Sequence, residues 1–191
     1  MSELWLCNNS ITVVPPALGD LTQLLVLSLA NNNIEVLPPE VCNLVNLRKL
    51  YLRGNNLTSL PNLLGQMTQL QYLDCAYNKL SAFPEVITSM RRLVRVDFAR
   101  NRIPSLPATL EQLQCLIYLN LSDNHLTKPP PVLLRMPWVE VLGCPISAEN
   151  RGAIAYKITL SEEHELTNLI KSRAAASLTA KLRRKKKKSY L

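Results

Sequence analysis

A single frame of apolar residues, one asparagine and one proline returns along the chain every 23 residues. In the segment LSLANNNIEVLP (27–38), Leu29 and Ile34 flank Asn32, and the frame ends at Pro38. The asparagine position is filled six times, by Asn9, Asn32, Asn55, Asn78, Asn101 and Asn124. The proline position is filled six times, by Pro15, Pro38, Pro61, Pro84, Pro107 and Pro130. This period predicts a solenoid, because one such unit is too small to bury its apolar residues and must stack on its neighbours.

The frame follows the pattern LxxLxLxxNxLxxLPxxLxxL and resembles the leucine-rich repeat. The 23-residue, proline-containing form is similar to the intracellular, Ras-group-related type of that family. Six such repeats cover residues 1–138. The resemblance implies an α/β solenoid with a parallel sheet on its concave side, closed by a C-terminal cap and a long basic helix.

The repeated asparagine has a structural explanation. Where each coil leaves its strand, backbone N–H and C=O groups lose their partners in the sheet, and an inward amide can donate and accept at once. Leaving such groups unpaired costs roughly 1–3 kcal/mol each. We therefore expect the asparagines to form a ladder of hydrogen bonds with no part in chemistry.

Both ends of the chain depart from the repeat. Residues 139–160 read as a capping turn that contains Gly143-Cys144-Pro145-Ile146, and residues 161–191 as a helix with a basic tail. Apolar residues recur in that helix at every fourth position, at Leu166, Ile170, Ala174, Leu178 and Leu182. The first strand begins without a preceding cap, so either a partner covers this edge or the chain is part of a longer protein.

The tail KLRRKKKKSYL holds much of the positive charge. Seven basic residues lie there, and removing them from the net charge of +8 leaves +1. Such a run can bind RNA, DNA or another polyanion, act as a nuclear localisation signal, lie on an anionic membrane or remain solvated. The candidate nucleic-acid-binding residues are Lys181, Arg183, Arg184, Lys185, Lys186, Lys187 and Lys188. The ending Ser189-Tyr190-Leu191 is also compatible with a PDZ domain ligand.

Composition favours an intracellular protein, cytoplasmic or nuclear, with an organelle also possible. No window approaches the roughly 18 apolar residues of a membrane span, and the N-terminus lacks the features of a secretory signal. The five cysteines are dispersed without a bridging pattern, which is typical of a reducing compartment. The three N-x-S/T motifs, at Asn8, Asn56 and Asn120, are then chance matches.

A binding surface is expected on the face of the sheet that points away from the core, which we call the open face. There the residues between buried leucines point outward, and they are rich in tyrosine, tryptophan and arginine, the types that dominate interface hot spots. The second coil is plain, with Val26, Ser28 and Ala30. The candidate protein-binding residues are Trp5, Lys49, Tyr51, Arg53, Tyr72, Asp74, Tyr77, Arg95, Asp97, Arg100 and Tyr118, with Asn120 and Asp123 beside them.

Asp74 and Asp97 are the strongest candidates for a catalytic pair. They hold the same position in adjacent parallel strands and should lie about 5 Å apart, close enough to raise one pKa. We expect Arg53, Arg95 and Arg100 to neutralise the pair, and an open sheet offers no shaped pocket. The two histidines, His125 and His164, have no ligand partners at metal-binding spacing.

These features predict a non-catalytic adaptor that binds a protein on the open face, with no cofactor, metal or small-molecule substrate. One special case is a subunit of a large ribonucleoprotein whose tail contacts RNA. The alternatives are a regulator of small GTPase or phosphatase signalling, suggested by the resemblance, and the repeat module of a larger enzyme.

Overall fold

The computed structural model describes residues 1–126, 131–134, 136 and 140–142. The chain divides into two compact units, Met1–Ala155 and Tyr156–Leu191, and the described residues belong to the first. Its strands are β1 (Glu3–Trp5), β2 (Val26–Ser28), β3 (Lys49–Tyr51), β4 (Tyr72–Asp74), β5 (Arg95–Asp97), β6 (Tyr118–Asn120) and β7 (Glu140–Leu142). Its helices are the 3-10 helices η1 (Pro16–Asp20), η2 (Pro39–Asn43), η3 (Asn62–Gln66), η4 (Glu85–Ser89) and η5 (Ala108–Gln112), and the short α-helix α1 (Pro131–Leu134).

The described strands form one parallel sheet in the order of the chain, β1 to β7. The register advances by one repeat per strand, so that Leu27 lies opposite Leu50 and Leu50 opposite Leu73. β7 extends the sheet within the range that the sequence assigned to a capping turn. The predicted α/β solenoid of leucine-rich repeats with a parallel sheet is thereby confirmed, while the capping turn beyond β7, the C-terminal helix and its basic tail lie outside the described residues.

The core lies between the sheet and the row of 3-10 helices. The central residue of each strand from β1 to β6 faces inward, and Leu27, Leu50 and Val96 are fully buried. Each 3-10 helix contributes apolar residues from the other side, among them Val41 and Leu64. Because each strand is only three residues long, its stability depends on the stacking of neighbouring coils.

The repeated proline starts each 3-10 helix. Pro15, Pro38, Pro61, Pro84 and Pro107 are the N-cap residues of η1 to η5. The proline ring fixes φ near the value required there, and the missing N–H is not needed at a helix start. Each proline carbonyl then accepts the first hydrogen bond of its helix, as Pro61 does from the N–H of Leu64 at 3.0 Å.

The asparagine ladder is confirmed in five coils. The Oδ1 atom of Asn55 accepts the N–H of Ile34 at 3.0 Å, and its Nδ2 donates to the carbonyls of Leu29 at 2.9 Å and Leu52 at 3.0 Å. The same bonds recur at Asn32, Asn78, Asn101 and Asn124. Asn9 is exposed and, within the described part of the chain, bonds only to carbonyls of its own coil, those of Leu6 and Cys7.

The cysteines at positions 7, 42, 75 and 115 are free thiols. Cys75 fills the core position of a leucine, as expected, and is fully buried. Burial raises the pKa of the Cys42 thiol to about 11, with a smaller contribution from the charge of Glu40. No helix within the described ranges has the length and apolar character to cross a membrane.

Candidate functional site

Two rows of side chains cross the open face, one from each end of the strands. The first row contains Val26, Lys49, Tyr72, Arg95 and Tyr118, which lie opposite one another in register. The second row contains Trp5, Ser28, Tyr51, Asp74, Asp97 and Asn120. Neighbouring positions in a row are about 4.8 Å apart, and the rows are separated by two residues, or about 7 Å, along each strand.

The first row alternates cations with aromatic rings. The Lys49 Nζ lies 5.6 Å from the centroid of the Tyr72 ring. The Arg95 guanidinium lies 5.7 Å from the centroid of Tyr72 and 4.4 Å from that of Tyr118. These distances are within the range of cation–π attraction, so each cation is held by the aromatic residue of the adjacent strand.

The second row begins with an aromatic pair. The rings of Trp5 and Tyr51 are stacked with centroids 6.0 Å apart and planes inclined by 24°, although β2 lies between their strands. Ser28 occupies the intervening position and is only 3% exposed. The small side chain that makes the second coil plain therefore leaves room for the two rings to meet.

Asp74 and Asp97 continue the second row, and each closes a turn at the end of its strand. The Oδ1 atom of Asp74 accepts the N–H of Ala76 at 3.0 Å, and that of Asp97 accepts the N–H of Ala99 at 2.9 Å. Asn120 makes the same turn in the next coil. The side-chain amide of Asn120 also donates to Oδ2 of Asp97 at 3.1 Å, so both oxygens of Asp97 are engaged.

The surroundings of Asp74 change the pKa of its carboxyl. Burial raises the pKa of its carboxyl above the ordinary value; the Ala76 N–H lowers the pKa, the charge of Asp97 raises it, and the charge of Arg53 lowers it. The predicted effect of two neighbouring carboxylates is therefore present, although burial dominates it.

Of the three arginines expected to neutralise the acidic pair, Arg53 acts on Asp74 through its charge, but none forms an ion pair with Asp74 or Asp97 within the described residues. Arg95 lies on the rings of the first row, as described above. Arg53 and Arg100 lie 4.3 Å and 4.8 Å from the centroid of Tyr77, and Arg100 forms an ion pair with Asp123 at 3.0 Å. The long guanidinium side chains reach an aromatic neighbour one coil away, and only Arg53 influences Asp74, through space.

Arg53, Tyr77, Arg100 and Asp123 form what we call the arginine–tyrosine cluster, at the carboxyl ends of the strands. Three of its members have left-handed backbone, with φ of 56° at Tyr77, 54° at Arg100 and 56° at Asp123. The equivalent positions in other coils are Asn8, Asn31 and Gly54, residue types that tolerate this conformation. Tyrosine and arginine do not favour it, and backbone strain of this kind is frequent at functional sites.

A depression of about 250 Å³ lies in the middle of the open face. Its walls combine three tyrosines, two aspartates and one arginine over apolar residues of β4 and β5: Tyr51, Tyr72, Leu73, Asp74, Arg95, Val96, Asp97 and Tyr118. The open face is therefore not flat at its centre, although the depression is open to water. The aspartates are shorter than the tyrosines around them, so the centre of the sheet lies below the rings.

The depression unites six of the eleven predicted protein-binding residues. Lys49 lies beside it against Tyr72, Trp5 lies against Tyr51, and Arg53, Tyr77 and Arg100 belong to the arginine–tyrosine cluster. The sequence reasoning missed the turn-forming role of the aspartates and the left-handed position before each ladder asparagine. The left-handed position could have been found from the sequence, since Asn, Gly or Asp fills it in four of six coils.

The described residues contain no group of three histidine, cysteine or acidic side chains that could bind a metal ion. Their buried side-chain nitrogen and oxygen atoms all have hydrogen-bond partners. What the site does offer is aromatic surface, charge of both signs and an open approach.

Family models identify the repeat in two parts of the chain. A model of a leucine-rich repeat region matches residues 3–81, and a model of a single leucine-rich repeat matches residues 115–136. The chain is a leucine-rich repeat protein. Assignment of the repeats to the 23-residue, Ras-group-related type remains a prediction. Comparison with curated proteins gives no match.

Solved structures of other leucine-rich repeat proteins show the same fold. A leucine-rich repeat protein of Leptospira interrogans is 35% identical with a TM-score of 0.69, over 74% of this chain and 36% of that one. The ectodomain of the Arabidopsis thaliana receptor kinase GASSHO1/SCHENGEN3, in complex with CASPARIAN STRIP INTEGRITY FACTOR 2, is 32% identical with a TM-score of 0.69. The match covers 75% of this chain and 18% of that one.

The plant peptide hormone receptor RGFR1, in complex with RGF2, is 28% identical with a TM-score of 0.68, over 75% of this chain and 24% of that one. The present leucine-rich repeat protein thus spans about a third or less of the length of the three relatives.

Proposed function

We propose that this leucine-rich repeat protein is a non-catalytic module that binds a protein partner through the open face of its sheet. The observation that carries the proposal is the depression, whose walls bring three tyrosines and one arginine together on a repeat scaffold. Such residues contribute a large contact area together with a polar group, and they dominate interface hot spots. Two relatives of known structure are complexes of a plant receptor with RGF2 and with CASPARIAN STRIP INTEGRITY FACTOR 2.

The neighbouring residues support the same surface. Trp5 is 56% exposed and Tyr77 is 40% exposed, so both rings offer aromatic surface to a partner. The cation–π contacts fix several of the arginines in place, so that less side-chain entropy is lost when a partner binds.

Catalysis by the acidic pair is the less favoured function. Both oxygens of Asp97 are already hydrogen-bonded, to the Ala99 N–H and to the Asn120 amide, so it is poorly placed as a base or nucleophile. The depression is also smaller than the roughly 300–1,000 Å³ typical of small-molecule sites and is open to water.

A photo-crosslinking experiment tests the binding surface directly. A photoreactive phenylalanine derivative is placed at Tyr72 in the depression and, as the matched control, at Leu63, which is 49% exposed in η3. We expect a discrete crosslinked protein in cell extract from the Tyr72 position alone. Equal crosslinking from Leu63, or crosslinking from Leu63 alone, would place the binding surface elsewhere.

Three narrower hypotheses follow from the sequence alone. The ribonucleoprotein hypothesis rests on the basic residues 181–188, which lie outside the described residues, and the signalling hypothesis rests on the repeat type. A chain that ends at Ala180, compared with the full chain before and after nuclease treatment, tests the first. Loss of partners on either treatment would support contact with nucleic acid, and retention of a discrete protein partner would favour the open face. The module-of-an-enzyme hypothesis is tested by the gene sequence upstream of Met1.

A further inference from the structure

The two carboxylates of the depression have no ion-pair partner within the described residues. The arginines expected to pair with them lie on tyrosine rings instead, and Arg100 pairs with Asp123. Asp74 differs further from Asp97, because its Oδ2 atom has no hydrogen bond to any residue that the structure describes, whereas Oδ2 of Asp97 accepts from Asn120. Asp74 therefore keeps one acceptor atom for a ligand.

Although the charge of Arg53 acts on Asp74 through space, the groups next to Asp74 in the sheet suit a positive charge. Tyr51 lies opposite Asp74 in register and provides an aromatic side chain at the same level of the sheet, while Asp97 lies opposite it on the other side. Aromatic rings attract cations and cover the aliphatic part of long basic side chains. A negative ligand at this position would meet two carboxylates.

The charges that line the depression add up to a negative value. Asp74 and Asp97 contribute two negative charges and Arg95 one positive charge, for a net charge of −1. The guanidinium of Arg95 belongs to the first row, two residues back along the strand, where it lies 4.4 Å from the Tyr118 ring. The second row, with Tyr51 and the two acids, is therefore the acidic side of the depression.

We propose that the depression binds one lysine or arginine side chain of the protein partner, with Asp74 as its carboxylate acceptor and Tyr51 beside it. This inference rests on the proposed function, because it names the chemistry that the open face recognises. The small volume of the depression suits one side chain of an extended segment, and a cation there would offset the burial of the Asp74 carboxylate.

The test uses the full chain and three capped tripeptides as probes. Uniformly nitrogen-15-labelled protein is titrated at neutral pH with acetyl-Gly-Arg-Gly-amide, with the same peptide carrying citrulline in place of arginine, and with the glutamate peptide. Citrulline keeps the shape of arginine and removes its charge. We expect saturable shifts of the amides of residues 51, 74 and 97 with the arginine peptide, and binding at least about tenfold weaker with citrulline.

The variant Asp74→Asn separates the role of the charge from that of the fold. Asn120 holds the same position two coils later and still closes its turn with the Ser122 N–H, so asparagine is compatible with the backbone at position 74. We expect this variant to bind the arginine peptide at least about tenfold more weakly than wild type. Asp20→Asn, at the exposed end of η1, makes the same change in net charge and should bind like wild type.

Several outcomes would overturn the inference. If the citrulline peptide binds as tightly as the arginine peptide, the site recognises apolar shape and not charge. If the glutamate peptide binds more tightly than the arginine peptide, the site binds anions. If Asp74→Asn binds the arginine peptide like wild type, another residue is the acceptor. The absence of saturable shifts at the named amides would remove the cation site altogether. None of these results would affect the crosslink from Tyr72, which tests the proposed function independently.

Discussion

The side-chain oxygen of Asn78 accepts the backbone N–H of Leu57 at 3.0 Å, across the boundary between two coils. Its Nδ2 donates back to the carbonyl of Leu52 at 2.9 Å. One amide therefore replaces two hydrogen bonds that the backbone loses where the strands end. The stacking of coils depends on this side chain as well as on apolar contacts.

The first prediction follows from that arrangement. Replacing Asn78 by leucine leaves the buried Leu57 N–H without its acceptor, and we expect the free energy of unfolding to fall by at least about 2 kcal/mol. The matched control is Asn9→Leu, since Asn9 is exposed and makes only local bonds. Chemical denaturation measures both; a wild-type midpoint for Asn78→Leu, or equal losses in the two variants, would contradict the account.

A second prediction concerns the contact between the first two 3-10 helices. A methyl group at Gly19 would overlap the backbone carbonyl of Glu40, so Gly19→Ala must displace η1 from η2 and should cost roughly 1–3 kcal/mol. Gly65 holds the same position two coils later, and a methyl group there would meet side-chain atoms first, the Ser89 hydroxyl at 2.7 Å and a Val86 methyl at 3.0 Å, with the Val86 carbonyl at 3.2 Å. We expect thermal unfolding to show a much larger loss for Gly19→Ala, and reversal of that order would count against the packing described.

A third prediction uses the buried carboxyl of Asp74. Burial raises the pKa of the Asp74 carboxyl in the folded state. The contribution of this carboxyl to the free energy of unfolding is therefore fully present below the unfolded pKa of 3.8, and it is lost as the pH rises through the folded-state pKa. At neutral pH the ionised carboxylate therefore costs stability. We expect Asp74→Asn to unfold at higher denaturant concentration than wild type at pH 7, with the difference closing below about pH 4.

The control for this pH series is Asp20→Asn, which carries the same change in charge on an exposed side chain. A gain at pH 7 that Asp20→Asn reproduces would mean that net charge, and not the burial of Asp74, is responsible. A loss of stability in Asp74→Asn at pH 7 would contradict the direction of the pKa shift.

The fold was predictable from the sequence because its determinants repeat in register. The asparagine and proline positions each have one backbone function, and that function needs the same residue type in every coil. The asparagine ladder and the parallel sheet follow from this regularity, whatever the residues between them. Identity at a fixed period is the strongest signal that a single sequence can carry.

The sequence was sufficient to predict which residues form the candidate site, but it did not predict which of them contact one another. The variable strand positions fall on the open face by alternation alone. Which neighbour a long side chain contacts depends on the relative strength of the contacts open to it. Arg53 and Arg100 lie against the Tyr77 ring and not on the carboxylates of Asp74 and Asp97. The depth of the depression depends on the relative sizes of tyrosine and aspartate in neighbouring coils, which a one-dimensional pattern does not express.

The left-handed backbone of Tyr77 supports the proposed binding role of the arginine–tyrosine cluster. A tyrosine in a left-handed position is held at a cost, and it is also exposed between two arginines. Tyr51 anchors the other side of the open face, stacked on Trp5. These two tyrosines are therefore the residues whose removal should most reduce binding while leaving the core intact.

The most direct test of the account is calorimetry with the partner identified by the Tyr72 crosslink. The variant that combines Tyr51→Ala with Tyr77→Ala is compared with wild type and with a control that combines Val45→Ala with Leu63→Ala, two exposed apolar residues outside the open face. We predict that the tyrosine variant loses at least about 2 kcal/mol of binding free energy, roughly a thirtyfold change in Kd, and that the control binds like wild type. Unchanged affinity in the tyrosine variant would show that the open face is not the binding surface.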